Sequence, residues 1–378
     1  MYDAIVVGTG PGGGLAAVKL AEAGARVLIL EKQRLPREKA CGGALTIGPV
    51  KAVMDWDFDA LIESRIGLSR WQVDFGPGVD RQRDYGAWMV NRREFDLHIV
   101  ERALRLGGAQ VELRDDFPVA GVEEDATGVT VIGKSGERCR GRYLVGADGA
   151  AGRTAAALGL GRTTRAAVAI DAEVEVSPEA WQAEGERMSF NFACVPGGYG
   201  WVFPKRGYLS CGVGSWTRRD GMPAALDSYL ARALPAGSVR SQVRRGHPIP
   251  LYEGPSRIST RRACLVGDAA GLVDPILGEG IRFALASGAL AAAVIAEGLA
   301  GVESAEDGLD YTRRVHVAMG AELDRLRRFI LPIFLKRPDA FLQTFIERDQ
   351  SYSSLALALE SRFPLAVSFD ASQRSAQS

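Results

Sequence analysis

The stretch from Tyr2 to Glu31 constrains this chain more than any other. Tyr2 to Val7 is an apolar, β-branched run, as expected of a central parallel strand buried on both faces. It leads into Gly8-Thr9-Gly10-Pro11-Gly12-Gly13, and the pattern predicts an amphipathic helix from about Gly14 to Ala23, stopped by Gly24. A second strand, Arg26 to Leu30, ends in Glu31. Gly8 permits the tight turn, Gly10 lets the backbone approach a pyrophosphate, and Gly13 lets helix and strand pack closely. The helix start offers free N–H groups and a partial positive charge to phosphates. Glu31 stands where a carboxylate accepts from ribose hydroxyls. Gly8, Gly10, Pro11, Gly12, Gly13, Glu31 and Lys32 are therefore the candidate cradle of a dinucleotide. This motif alone does not choose between flavin and nicotinamide.

Later motifs make that choice. Tyr143-Leu144-Val145-Gly146-Ala147-Asp148-Gly149 is a strand ending in a small-residue turn with one acid. It resembles the second ADP-side signature of flavoprotein hydroxylases, although Gly152 stands where those proteins usually have a capping Ser. Ala263 to Ala270 is another strand ending in an acid, Asp268, placed to reach the sugar-side hydroxyls of FAD. Asp274-Pro275-Ile276-Leu277-Gly278-Glu279-Gly280-Ile281 then opens a long Ala-rich helix. Its positive end would face the flavin ring where reduction places negative charge. Val90 to Asp96 opens a further helix, and an Arg at the position of Arg92 contacts FAD in the same flavoproteins.

Two more segments sharpen the resemblance. Tyr199-Gly200-Trp201-Val202-Phe203-Pro204, followed after seven residues by Gly212-Val213-Gly214, matches a YxWxFP…GxG signature. Pro36-Arg37-Glu38-Lys39-Ala40-Cys41-Gly42-Gly43-Ala44-Leu45 matches an RxKxCGG loop. On these motifs, from residue 1 to about residue 300, the chain resembles the geranylgeranyl reductase family, flavoproteins with the para-hydroxybenzoate hydroxylase type of fold. Leu277 before Gly-Glu-Gly and Ser210-Cys211 depart from the family's usual residues. The resemblance implies FAD held by Arg37, Cys41, Gly42, Gly43, Ala44, Arg92, Asp148, Asp268, Gly278, Gly280 and Ile281 as well as by the cradle. It implies an isoprenoid substrate on Tyr199, Trp201, Phe203, Pro204 and Gly212, with reduced flavin hydrogenating C=C bonds. In a strand, Tyr199, Trp201 and Phe203 share one face, giving a broad apolar wall. Cys41, Tyr199 or an ordered water is the candidate proton donor. A free Cys is also commonly just a small buried hydrophobe. No second GxGxxG occurs, so NADPH would bind transiently or a reduced ferredoxin would supply electrons.

The expected architecture is α/β: a Rossmann-type FAD-binding domain from residues 1–70, 90–165 and 255–300, an inserted antiparallel β-sheet substrate domain from 71–89 and 166–254, and a helical C-terminal region, 301–378. Pro332 and Pro338 are expected to break the last helical run, and 372–378 is a polar tail. The 378 residues carry zero formal net charge, which gives no global footprint for nucleic acid. The five cysteines, Cys41, Cys139, Cys194, Cys211 and Cys264, show no CxxC spacing. No metal site or disulfide framework is therefore expected, and a cytoplasmic protein is. Ala284 to Ala296 reads as a buried helix. Arg325 to Arg337 has basic flanks around an apolar centre; it is either an internal helix with surface arginines or a peripheral contact with the inner membrane surface. Competing readings are a FAD-dependent monooxygenase or halogenase, an electron-transfer flavoprotein to quinone oxidoreductase, and a non-catalytic prenyl-lipid carrier or sensor. A halogenase would carry a WxWxIP motif, which is absent, and the quinone oxidoreductase would need iron–sulfur spacing, also absent.

Overall fold

The computed structural model describes residues 1–161, 166–185, 187–301 and 309–347. Residues 348–378, including the polar tail expected at 372–378, lie outside the described residues.

Fifteen strands among these residues form two sheets. In chain order they are β1 Tyr2–Val7, β2 Val27–Leu30, β3 Ala44–Thr46, β4 Ile62–Val73, β5 Val79–Val90, β6 Val111–Arg114, β7 Val119–Glu124 and β8 Val129–Gly133. Then come β9 Arg138–Gly146, β10 Ala166–Val176, β11 Arg187–Phe192, β12 Gly198–Pro204, β13 Leu209–Ser215, β14 Val239–Pro250 and β15 Ala263–Leu265. The first sheet runs β6-β2-β1-β9-β8-β7, with β15 also paired to β9. Its β6, β2, β1, β9 and β15 pairings are parallel, so the apolar β1 and β2 are covered on both faces, as their composition requires.

Helix α1 (Pro11–Glu22) begins at Pro11, earlier than the expected Gly14. Proline at the first position explains the shift: its φ suits a helix start and its missing N–H would be unpaired there anyway. The short α2 (Ile47–Val53) precedes α3 (Arg92–Gly107), which is capped by Asn91 accepting from the Arg93 N–H at 2.9 Å. The remaining helices before residue 300 are α4 (Thr154–Ala157), α5 (Pro178–Glu184), α6 (Met222–Ala233) and α7 (Ile281–Leu299). Glycines let the packed helices close on α1. A Cβ on Gly12 would lie 2.8 Å from the Ala284 carbonyl oxygen of α7, and one on Gly14 would lie 2.8 Å from Ile99 of α3. Helix α7 is long and apolar enough to cross a membrane, but 61% of its apolar window is buried within the protein, in keeping with the buried helix expected there.

The second sheet runs β14-β10-β13-β12-β11-β4-β5-β3. It is the inserted sheet of the expected fold, antiparallel except for one parallel pair, β11 with β4. Strand β4 spans the boundary drawn at residue 70, so residues 62–70 belong to this sheet, and β3 joins it through β5. Alternating polar residues in β4 and β5 give little sign of the partner strand.

The C-terminal rod is helical from Tyr311 to Lys336, with wide π turns at His316–Gly320 and Leu326–Ile330. Pro332 does not break it. It sits just after the second π turn, where the helix tolerates a missing N–H. The break comes at Arg337, which leaves the helical region (φ −141°, ψ 67°) just before Pro338, since proline disfavours the α conformation in the residue before it.

Candidate active site

One cavity of 860 Å³ runs from the β1–α1 turn to the face of the second sheet. Every residue expected to hold FAD lines it, as do Tyr199, Trp201 and Phe203. Pro204 and Gly212 do not. Pro204 ends β12 with its carbonyl accepting from the Ser64 hydroxyl at 2.6 Å. Gly212 lies behind the wall, where a Cβ would come 2.0 Å from the Trp201 indole. It makes room for the aromatic ring and does not touch a ligand itself.

The backbone at one end fits a dinucleotide. Gly8 has φ +102°, and a Cβ there would be 2.3 Å from the Ala147 carbonyl oxygen. A Cβ on Gly13 would be 2.1 Å from the Gly8 carbonyl oxygen. With α1 starting at Pro11, the Gly12 and Gly13 N–H groups fall in the first turn, which has no intrahelical acceptors. Both residues line the cavity, so an anion meets free donors and the positive end of the helix. Asp148 adds a carboxylate. Its Oδ2 accepts from the Arg153 N–H (2.7 Å), the Thr154 N–H (2.9 Å) and the Thr154 hydroxyl (2.8 Å). Thr154 therefore supplies the hydroxyl missing at Gly152. Asp148 Oδ1 is buried without a partner, which is costly unless a ligand donates to it.

Glu31 is 3% exposed. Its Oε2 accepts from the Thr9 N–H (3.0 Å), the Thr9 hydroxyl and Arg37 (3.2 Å). Burial alone would raise its pKa, but Arg37 and the Thr9 donors bring it below the ordinary carboxylate value. Arg37 also reaches Asp96 at 3.1 Å, and Arg92 grips Asp96 at 2.8 and 2.9 Å. Two arginines and two acids thus lock together where α3 meets the glycine turn. The Cys41 sulfur accepts from the Gly43 N–H at 3.3 Å.

The other end is aromatic. Tyr199, Trp201 and Phe203 face one way, as the strand period requires. Phe190 packs edge-on against Phe203 (centroids 5.2 Å apart) and stacks with Trp71 at 4.5 Å. Each such pair contributes about 0.5–1.5 kcal/mol beyond its buried area. The loop Gly42–Gly43 rests on this wall, since a Cβ on Gly42 would meet the Phe203 ring at 2.8 Å. Gly42 is thus required by contact with Phe203 in the structure. The Tyr199 hydroxyl donates to the Leu277 carbonyl at 2.5 Å, and the Trp216 indole N–H donates to the Pro275 carbonyl at 2.7 Å. Burial pushes the Tyr199 pKa well above its ordinary value. These two bonds pin the loop that carries Gly278 and Gly280 and leads into α7.

Three polar groups on this cavity escaped the sequence reading. His247 of β14 contacts the Lys39 ammonium and lies 3.8 Å from Asp268. Burial brings the Lys39 pKa down to about 8. The His247 pKa is lowered too, first by burial and then by Lys39. Burial would raise the Asp268 pKa, but His247 and Lys39 outweigh it and hold it low. Asp171 of β10 is 5% exposed and accepts from the Ser210 hydroxyl at 2.8 Å. Lys39 stood inside the CGG loop motif, but no local pattern marks His247 or Asp171.

Known proteins resemble this chain in sequence and in fold. A family model described as "FAD binding domain" matches residues 59–322, and a second of the same description matches residues 3–56. The chloroplastic geranylgeranyl diphosphate reductase of Oryza sativa subsp. japonica is 32% identical over 85% of this chain and 71% of its own length. The digeranylgeranylglycerophospholipid reductase 1 of Methanopyrus kandleri is 30% identical over 79% of this chain and 81% of its own. Among solved structures, a geranylgeranyl bacteriochlorophyll reductase-like protein of Thermoplasma acidophilum has a TM-score of 0.73 at 23% identity, covering 95% of this chain and 98% of that one. A flavin-dependent brominase has a TM-score of 0.71 at 20% identity, covering 97% and 96%. At such identities the two structures bear on the fold alone.

Proposed function

The chain belongs to the geranylgeranyl reductase family of FAD-dependent oxidoreductases, and from that premise we propose that it hydrogenates carbon–carbon double bonds of an isoprenoid chain. The observation that carries this reading is the continuity of the cavity: the glycine cradle at one end and the aromatic wall of β12, β11 and β4 at the other enclose a single space. When bound and reduced, FAD supplies a hydride to one alkene carbon while a proton is added to the neighbouring carbon.

The protein's own residues do the rest. Gly12, Gly13, Asp148 and Asp268 hold the nucleotide end. Tyr199, Trp201, Phe203 and Phe190 exclude water and lay a flexible prenyl chain against a flat surface, which supplies the alignment that an unactivated alkene needs. Cys41, on the cavity wall with the Gly43 N–H donating to its sulfur, is the proton donor in this reading. Tyr199 is a positioning residue, because its proton is engaged by the Leu277 carbonyl. Electrons come from NADPH bound transiently or from reduced ferredoxin, and anaerobic bleaching of the flavin by NADPH alone separates the two.

The test is an anaerobic one. Dithionite-reduced protein mixed with geranylgeranyl diphosphate or another prenyl substrate should regain oxidised-flavin absorbance, and the product should gain two hydrogens for each bond reduced. No reoxidation by any prenyl substrate would overturn the proposal. Product formed only when oxygen is admitted would identify the monooxygenase or halogenase reading instead. Stoichiometric bound lipid without turnover would identify a carrier.

A further inference from the structure

The rod from Tyr311 to Lys336 has two faces with different tasks. Leu323, Leu326, Ile330 and Phe334 are buried, and Leu326 and Glu322 form part of the cavity wall. The opposite face exposes Arg325, Arg328, Phe329, Pro332 and Lys336. Phe329 leaves 65% of its surface in water, and further back along the rod Val317 leaves 73%. An aromatic side chain so exposed, with nothing apolar over it among the described residues, costs free energy in solution.

Its surroundings are cationic. Arg325 and Lys336 have no ion-pair partner among the described residues, and neither does Arg337 beyond the end of the rod. Arg328 is 59% exposed and keeps a loose 3.6 Å approach to Asp324. The acids on the rod are turned inward or spent: Glu322 is bound to Arg282 at 2.7 Å, and Asp324 to Arg327 at 2.9 Å. Asp339 is the nearest exposed acid in sequence. A stripe of cations around an exposed Phe on a helix has the complement of an anionic lipid surface, with the ring below the headgroups and the arginines at their level.

We infer that this outer face lies on an anionic bilayer, which places the cavity behind Leu326 next to a lipid-borne substrate. The purpose of the contact rests on the isoprenoid reading above, but the contact itself does not. Phe329 and the arginines touch neither cradle nor aromatic wall.

Flotation of the full-length, FAD-loaded protein tests it, using vesicles of phosphatidylcholine alone and of phosphatidylcholine mixed equally with phosphatidylglycerol. The protein should float with the mixed vesicles, stay behind with the neutral ones, and be released by high salt. Arg325→Gln and Arg328→Gln should each weaken partitioning roughly fivefold, and Phe329→Ala about tenfold, with bound-flavin absorbance unchanged. The inference is overturned if the parent protein ignores anionic vesicles, if it binds neutral and anionic vesicles equally, or if the variants float like the parent. It is also overturned if Phe329→Ala instead splits a dimer in sedimentation, which would make a second copy the occupant. Turnover of a detergent-dispersed prenyl substrate should be the same for parent and variants. Absence of turnover in the parent would count against the reductase proposal and leave the flotation result standing.

Discussion

Asp171 carries a pH dependence whose sign can be worked out from its surroundings. Burial pushes its pKa up to about 6 from an ordinary 3.8, despite the Ser210 hydroxyl and the nearby Lys205 charge. Below pH about 4 the folded and unfolded chains both hold the proton, and the group costs nothing. As pH rises, the unfolded chain releases its proton first, so stability falls until about pH 6 and the loss persists above it. A displacement of this size corresponds to about 3 kcal/mol. Asp171→Asn should therefore lose less melting temperature than the parent between pH about 4 and about 7, as followed by calorimetry. Cys41→Ser should retain its FAD, since the cradle is untouched, and should lower turnover by about 100-fold if the sulfur delivers the proton; full activity in a steady-state assay would dismiss that role. At this scale the sequence was uneven. Glycines declare themselves because only a missing side chain fits at Gly8 or Gly13, and acids at strand ends such as Asp148 are legible by position. Asp171 and His247 are single polar residues within strands. What makes them part of the site is the neighbour across the sheet, and local spacing does not encode it. Gly212 fell within a true motif, yet its role is to admit the Trp201 ring.

Elements with a local cause were the readable ones. The strand β1, the glycine turn, α1 and β2 all follow from apolar runs, caps and breakers within one short stretch. Pro11 was the available signal for the earlier start of α1. The stretch 71–89, which holds nearly all of β5, was assigned to the second sheet, but the body of β4 was not, because its parallel pairing with β11 joins Leu68 to Arg187 across more than a hundred residues. Pro332 was read as a break because proline interrupts an ideal α-helix, whereas a π turn just before it lets the rod continue. The crossing of α1 and α7 gives a prediction at this level. A Cβ on Gly288 would lie 2.2 Å from the Gly12 carbonyl oxygen. Gly288→Ala must push the two helices apart, so it should cost on the order of 1–3 kcal/mol and release FAD by shifting the cradle. Melting temperature and flavin content of the purified variant check it.

For the molecule as a whole, the important feature is that two sheets of different origin close on one space. The parallel sheet offers strand ends and a helix start, the natural place for a nucleotide in an α/β fold. The mixed sheet offers a face of aromatic rings. Tyr199 and Trp216 tie the second to the loop that leads into α7, so filling the aromatic end bears on the loop that carries Gly278 and Gly280. The family was legible in part from the YGWVFP strand, but this joining of the two ends needed three-dimensional structure. The direct measurement is the absorption spectrum of the oxidised, FAD-loaded protein during titration with a fully saturated prenyl lipid, which binds without reacting. A saturable change in the flavin bands, reaching its limit at one lipid per chain, is expected. Lipid binding that leaves the flavin spectrum unaltered would contradict a shared cavity.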